Sequence, residues 1–151
     1  MRKVKTEVEE IKISYLPTNI NNPKVRTSKE AYSVLIEAFD KGTIGLQESF
    51  VVMYLNNQNQ VKGIYRHSTG GITSTIMDIR LIMSVALKST SIGMILCHNH
   101  PSGNLEPSKA DKTITSKIGE ACKLFDIKLL DHLIVSPHGT YFSFQDENLL
   151  D

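Results

Sequence analysis

Between Cys97 and Asp111 the chain reads Cys-His-Asn-His-Pro-Ser-Gly-Asn-Leu-Glu-Pro-Ser-Lys-Ala-Asp, which crowds metal-binding side chains into one short stretch. His98 and His100 stand two positions apart, so at the end of an extended strand both rings leave the same face and can share one cation. Asp111 supplies a third candidate ligand. A catalytic zinc takes about three protein ligands and keeps one position for water, whose pKa it lowers from about 15.7 towards about 7. His98, His100 and Asp111 are enough to fill those three positions. Hydrolysis also needs a proton carrier, and Glu48, at the mouth of another predicted strand, is one candidate among sixteen acidic residues. Ser108 can donate a hydrogen bond to an oxyanion. The chemistry expected is hydrolysis of an amide or peptide bond at one zinc ion per chain.

The same residues have plainer readings. Ser108-Lys109-Ala110-Asp111 has the form of the acidic variant of a helix capping box, in which Ser108 caps and Asp111 answers from the first turn. The His-X-His pair one loop earlier tilts Asp111 towards metal, because two close histidines at a strand end are uncommon for structural reasons alone. His132, in Leu130-Asp131-His132-Leu133, reads as a hydrogen-bonded histidine beside the core, with Asp131 as its orienting partner behind the ligands. His67 and His138 lie in turn-rich contexts and are given no role.

These residues need a scaffold that joins a strand end, a loop and a helix start. Residues 92–97 form an apolar run suited to a buried strand, a Pro/Gly/Asn loop follows, and Ser108 opens a helix with Ile114, Ile118, Ala121, Cys122 and Phe125 on its buried side. Ser49 to Leu55 is nearly all apolar, which predicts a central strand covered on both faces. The turn residues Asn56-Asn57-Gln58-Asn59-Gln60 then return the chain as an antiparallel strand over 61–66, broken at Thr69-Gly70-Gly71. Asp78 caps a helix whose inner face holds Ile79, Ile82, Met83, Ala86 and Leu87. Upstream, residues 11–15 alternate as a half-buried strand would, and a Pro/Asn-rich turn over 17–23 closes it. Thr27-Ser28-Lys29-Glu30 is a capping box for a helix carrying Ala31, Leu35, Ala38 and Phe39 until Gly42. Strands over 127–135 and 141–144, joined by Pro137-His138-Gly139, finish the chain. The expectation is a mixed sheet flanked by about three helices, in an α/β or α+β class.

A chain of 151 residues fits one domain with a proper core, expected over 25–151 behind an N-terminal strand and linker over 1–24. Cys97 and Cys122 sit in apolar stretches and read as buried free thiols rather than a disulfide. No apolar run approaches the roughly 18 residues that cross a bilayer, and no signal-type segment follows the charged start, so a cytoplasmic protein is expected, with no membrane partner. The net charge of +1 makes no overall case for nucleic acid. Lys109, Lys112, Lys117 and Lys123 nevertheless define the rival reading, a nucleic-acid-associated module whose zinc is structural or vestigial. The partner expected instead is a peptide or protein substrate, with the loops at Thr69-Gly70-Gly71 and Gly103-Asn104-Leu105 at the rim of its site.

Glu48, then His98-X-His100, then seven residues to Ser108-X-X-Asp111, resembles the JAMM motif of JAB/MPN-domain metalloproteases. More closely, the run from Cys97 to Asn104, Pro107-Ser108-X-X-Asp111 and Leu130-Asp131-His132-Leu133-Ile134-Val135 look like the RadC family of JAB domains, over roughly 25–144. The resemblance implies a cytidine-deaminase-like α/β fold, zinc held by His98, His100, Asp111 and water, and Glu48 as the catalytic carboxylate. It also attaches a family name linked to DNA repair. Two departures stand out. Asn99 occupies a position where peptidase members of the wider superfamily often carry Ser or Thr. The stretch 1–24 is expected to be too short for the helix-hairpin-helix region common in full-length RadC proteins. Other metal chemistries fit less well. HNH nucleases spread their three residues over a ββα unit, and nucleoside deaminases need His-X-Glu and Pro-Cys-X-X-Cys elements that are missing here. A facial triad for iron would leave Glu48 and Ser108 without a purpose.

Overall fold

Every residue of Ser49–Leu55 (β1) and Gly93–Asn99 (β3) is buried, which requires protein on both faces of these strands. The structure is a computed structural model that describes residues 8–17, 21–70 and 77–150. Its five-stranded sheet also contains β2 (Val61–Thr69), β4 (Lys128–Val135) and β5 (Tyr141–Ser143), in the order β2-β1-β3-β4-β5. All neighbours are antiparallel except β3 and β4, which run parallel and are joined through a helix, α3 (Lys109–Leu124). Two further helices, α1 (Ser28–Leu35) and α2 (Ile79–Lys88), complete the expected mixed α/β architecture. No helix among the described residues is long and apolar enough to cross a membrane.

Strand alternation divides the side chains between two cores. Val51, Met53, Leu55, Ile95, Cys97, Leu133 and Val135 pack with Val25, Ala31, Leu35 and Phe39 beneath α1. Phe50, Val52, Tyr54, Met94 and Leu96 pack on the opposite face against Ile82, Met83 and Ala86 of α2 and Ile118 and Cys122 of α3. Even-numbered positions of β3 thus face α2 and α3, so His98 and His100 emerge where α3 begins. Cys97 and Cys122 are both free and lie on opposite faces.

Several local expectations are corrected. Residues 11–15 form no strand: no ladder partner meets them among the described residues, Ile11 is 88% exposed, and only Tyr15 is anchored, through its hydroxyl to the Lys62 carbonyl (2.7 Å). Part of the following turn, 18–20, lies outside the described residues. The first helix does not reach Gly42. It tightens into a 3-10 turn at Ile36–Ala38, and Phe39 then turns extended (φ −100°, ψ 134°) so that its ring joins the core beneath α1. The second strand continues past Arg66 to Thr69, because β1 offers it pairing partners as far as Ser49. Leu87 and Phe125 end their helices on the exposed side instead of the inner face.

Leu96 is fully buried in the core between the sheet and α2/α3. Leu96→Ala is expected to cost about 2–5 kcal/mol of unfolding free energy, read as a lower denaturation midpoint with an unchanged slope against urea.

Candidate metal centre

Three pieces of backbone deliver the site. In the β1/β3 ladder Phe50 lies opposite His98, and the two rings stack in parallel, 5.7 Å between centroids. Past the end of β3, His100 stays tied to the sheet through its N–H to the Val135 carbonyl (3.0 Å). The loop then turns at Gly103, whose φ of +84° suits glycine and where a Cβ would sit 3.0 Å from the His138 ring. It ends at Ser108, the extended N-cap of α3. Both halves of the capping box form: Asp111 N–H donates to Ser108 Oγ (3.0 Å), and Ser108 N–H donates to Asp111 Oδ2 (2.9 Å).

The cap and the metal reading turn out to be one geometry. Asp111 Oδ1 lies 3.3 Å from His98 Nε2 and Oδ2 lies 3.2 Å from His100 Nε2, while the two Nε2 atoms are 3.0 Å apart. Glu48 joins from the entrance of β1, its carboxylate and the two imidazoles placing ligand atoms within 4.8 Å of one another. The sequence-predicted Asp111 and Glu48 therefore each approach the His98/His100 pair, and Ser108 lines the same cleft.

Hydrogen bonds behind the rings settle their tautomers. Thr115 Oγ1 donates its one proton to the Asp111 carbonyl (2.6 Å), so it must accept from His132 Nδ1 (2.6 Å). Neutral His132 then carries its lone pair on Nε2 and accepts from His98 Nδ1 (2.8 Å). Burial keeps the His132 pKa well below its ordinary value, which maintains that neutral form. His100 Nδ1 donates to the Asn104 carbonyl (2.6 Å). Both Nε2 lone pairs consequently point at the Asp111 carboxylate and at each other. Such a cluster calls for positive charge. Two ligands about 2.0–2.1 Å from one tetrahedral zinc stand roughly 3.3 Å apart, close to the separations found, so the donor set fits a metal ion.

Burial alone would raise the Asp111 carboxyl, but protonated His100 and His98 rings beside it hold it well below the usual carboxylate range. Burial would lower His100, yet its contacts with Asp111 and the Asn104 carbonyl raise it, the same demand for positive charge met by a proton. Glu48 behaves differently. Burial pushes its carboxyl up against the pull of His98 and His100.

Asp131 does not orient His132. Its carboxylate accepts from the Ser143 hydroxyl (2.7 Å), the Gln145 N–H (3.0 Å) and the His132 main-chain N–H (2.7 Å), while both His132 ring nitrogens are engaged elsewhere. The residue that fixes the ring is Thr115, with Phe144 stacked on it at 4.7 Å. Thr115 follows Asp111 by one helical turn, and that spacing is the only sign of it in the sequence. The cleft measures about 610 Å³ and is lined by Phe50, Met77, Pro101 and Ile114 beside the polar groups. Of the two loops expected at its rim, Asn104 is among the lining residues, Thr69 and Gly70 are not, and Gly71 lies outside the described residues.

The family model described as RadC-like JAB domain matches residues 25–149. The chain belongs to the RadC-like JAB domain family. Among its relatives, a UPF0758 protein of Flavobacterium johnsoniae is 44% identical over 126 residues, covering 83% of this chain and 53% of the relative. A UPF0758 protein of Porphyromonas gingivalis is 41% identical over 104 residues, covering 69% of this chain and 46% of the relative. The chain thus spans about half the length of these curated RadC-family relatives. Membership accords with a JAMM-like metal-binding fold and with the Glu48, His98 and His100 cluster.

Removing the support behind His98 should weaken the cation site without touching a ligand. His132→Ala is expected to lower zinc affinity about 10–100-fold, measured by competition with a chromophoric chelator.

Proposed function

We propose that this domain hydrolyses amide or peptide bonds, isopeptide bonds included, with one zinc ion held by His98, His100 and Asp111. The observation that carries the reading is the convergence of two imidazole lone pairs and two carboxylates of unlike character on the floor of an open cleft. Asp111 faces both rings, one oxygen to each, and is held ionised, as a ligand should be. Glu48 is raised by burial, as suits a group that takes up and releases a proton near neutral pH. Zinc in this site supplies Lewis acidity and a water of lowered pKa. Glu48 then accepts the proton of the attacking water and delivers it to the leaving amine. Ser108, whose oxygen already accepts from Asp111 N–H, retains its own proton to donate towards the carbonyl oxygen under attack.

The lining of the cleft supports a peptide over a nucleic acid. Glu48, Glu106 and Asp111 contribute carboxylates, and no Lys or Arg is among the described residues that line it. A phosphodiester would meet repulsion there, whereas Phe50, Met77 and Ile114 offer apolar surface to a side chain. Lys112 and Lys123, with Arg26 and Lys128, instead border a separate hollow of about 920 Å³ between α1, α3 and the C-terminal residues, mixed with Glu120, Asp131 and Asp146. That mixture is no uninterrupted basic face.

Purified protein is expected to contain about one zinc per chain by elemental mass spectrometry, with Asp111→Ala losing it. Glu48→Gln should keep the metal and lose peptide cleavage, compared by proteomic mapping of new termini. Full metal occupancy in His98→Ala/His100→Ala, or iron in place of zinc, would remove the basis of this reading.

A further inference from the structure

Asn99 lies between the two histidines, and strand alternation sends its side chain to the opposite face, beneath α1. It is completely buried and fully engaged. Its Oδ1 accepts from Ser49 N–H (2.7 Å), and its Nδ2 donates to the carbonyls of Ile44 (2.7 Å) and Gln47 (2.9 Å). Gln47 and Ser49 are the two neighbours of Glu48. Backbone pairing between β1 and β3 stops at Phe50 and His98, so beyond that point the Asn99 amide stands in for the missing ladder. On the other side, the Glu48 carbonyl is held by Gly70 N–H (2.8 Å).

We infer that Asn99 is a positioning residue that holds Glu48 at the metal centre. The inference rests on the proposed role of Glu48 as the proton carrier. The side chain's valences explain the residue type. One N–H and two carbonyls must be met by one acceptor and two donors on a short planar group, which asparagine alone provides at this length. Serine and threonine are shorter and bring one proton. An ionised aspartate would set its charge against two carbonyl oxygens. The middle residue of His-X-His therefore links ligand and proton carrier through the sheet: the strand that presents His98 and His100 forward grips the turn bearing Glu48 from behind. Leaving the buried Ser49 N–H and two part-buried carbonyls unpaired frees that turn, and displacement of a reacting group by about 1 Å can cost about 10²-fold in rate.

The test uses the full zinc-loaded chain with Asn99→Ala and Asn99→Asp, read by amide hydrogen exchange, zinc content and peptide-cleavage kinetics. In Asn99→Ala the Ser49 amide is expected to exchange at least about ten-fold faster, while the amides of His132 and Leu133 in β4 keep their rates. Zinc stays at about one per chain, and kcat falls about 10²-fold with KM near wild type, the pattern expected of Glu48→Gln. Asn99→Asp keeps an acceptor for Ser49 and loses the donors, so Ser49 stays protected while kcat still falls. It also carries the test if Asn99→Ala fails to fold. An unchanged Ser49 exchange rate in Asn99→Ala, a wild-type kcat in either variant, or activity lost only in proportion to zinc overturns the inference. If the wild-type chain cleaves no peptide, the hydrolase reading falls, and the exchange rates alone decide whether Asn99 holds the turn.

Discussion

Two imidazole nitrogens with outward lone pairs, 3.0 Å apart and facing an ionised carboxylate, repel one another unless positive charge sits among them. The arrangement persists because each ring is held from behind. His98 is fixed through His132 and Thr115, and His100 through the Asn104 carbonyl. A neutral His98 cannot turn an N–H towards His100 without abandoning its buried partner His132, at a cost of about 1–3 kcal/mol for a group left unpaired. The fold therefore stores a demand for a cation rather than a loose collection of ligands.

That demand is met with little irregular structure. The central strands β1 and β3 supply hydrophobic cores on both faces, and the chemistry occupies only the end where they stop pairing. One face carries Phe50, His98 and His132 towards α3, and the other carries Cys97 and Asn99 beneath α1. An apolar ring stacks on each buried histidine, Phe50 on His98 and Phe144 on His132. Such walls lower the local dielectric and strengthen the electrostatics among the polar groups.

How much of this was legible in the sequence depended on the range of the interaction. His98 and His100 declared themselves because a period of two puts both on one face. Asp111 was legible twice over, since the capping carboxylate and the one facing the imidazoles are the same atoms in the same pose. The period that revealed the histidines also shows why Asp131 could not serve His132: neighbours in a strand point to opposite faces, and Asp131 finds Ser143 and Gln145 instead. Thr115 was hidden because a threonine bonding back to the carbonyl four residues earlier is ordinary in helices. Glu48 stood out only through the family resemblance, because its place depends on bonds reaching fifty residues along the chain. Residues 11–15 carried the right alternation for a strand, but a strand exists only where another offers it a ladder.

The chain of bonds behind His98 comes back to face the residue it started from. It leaves the Asp111 carbonyl through Thr115 and His132 and reaches His98, whose Nε2 faces the Asp111 carboxylate across the site at 3.3 Å. Helix α3 and the strand β3 are thus laced together by this relay. A cation held among His98, His100 and Asp111 would add a second tie, a rivet between helix and sheet, and α3 must already be docked for the rivet hole to exist. Docking of α3 and capture of such an ion would then be a single equilibrium, in which losing the ion loosens the start of this helix before the rest of the sheet.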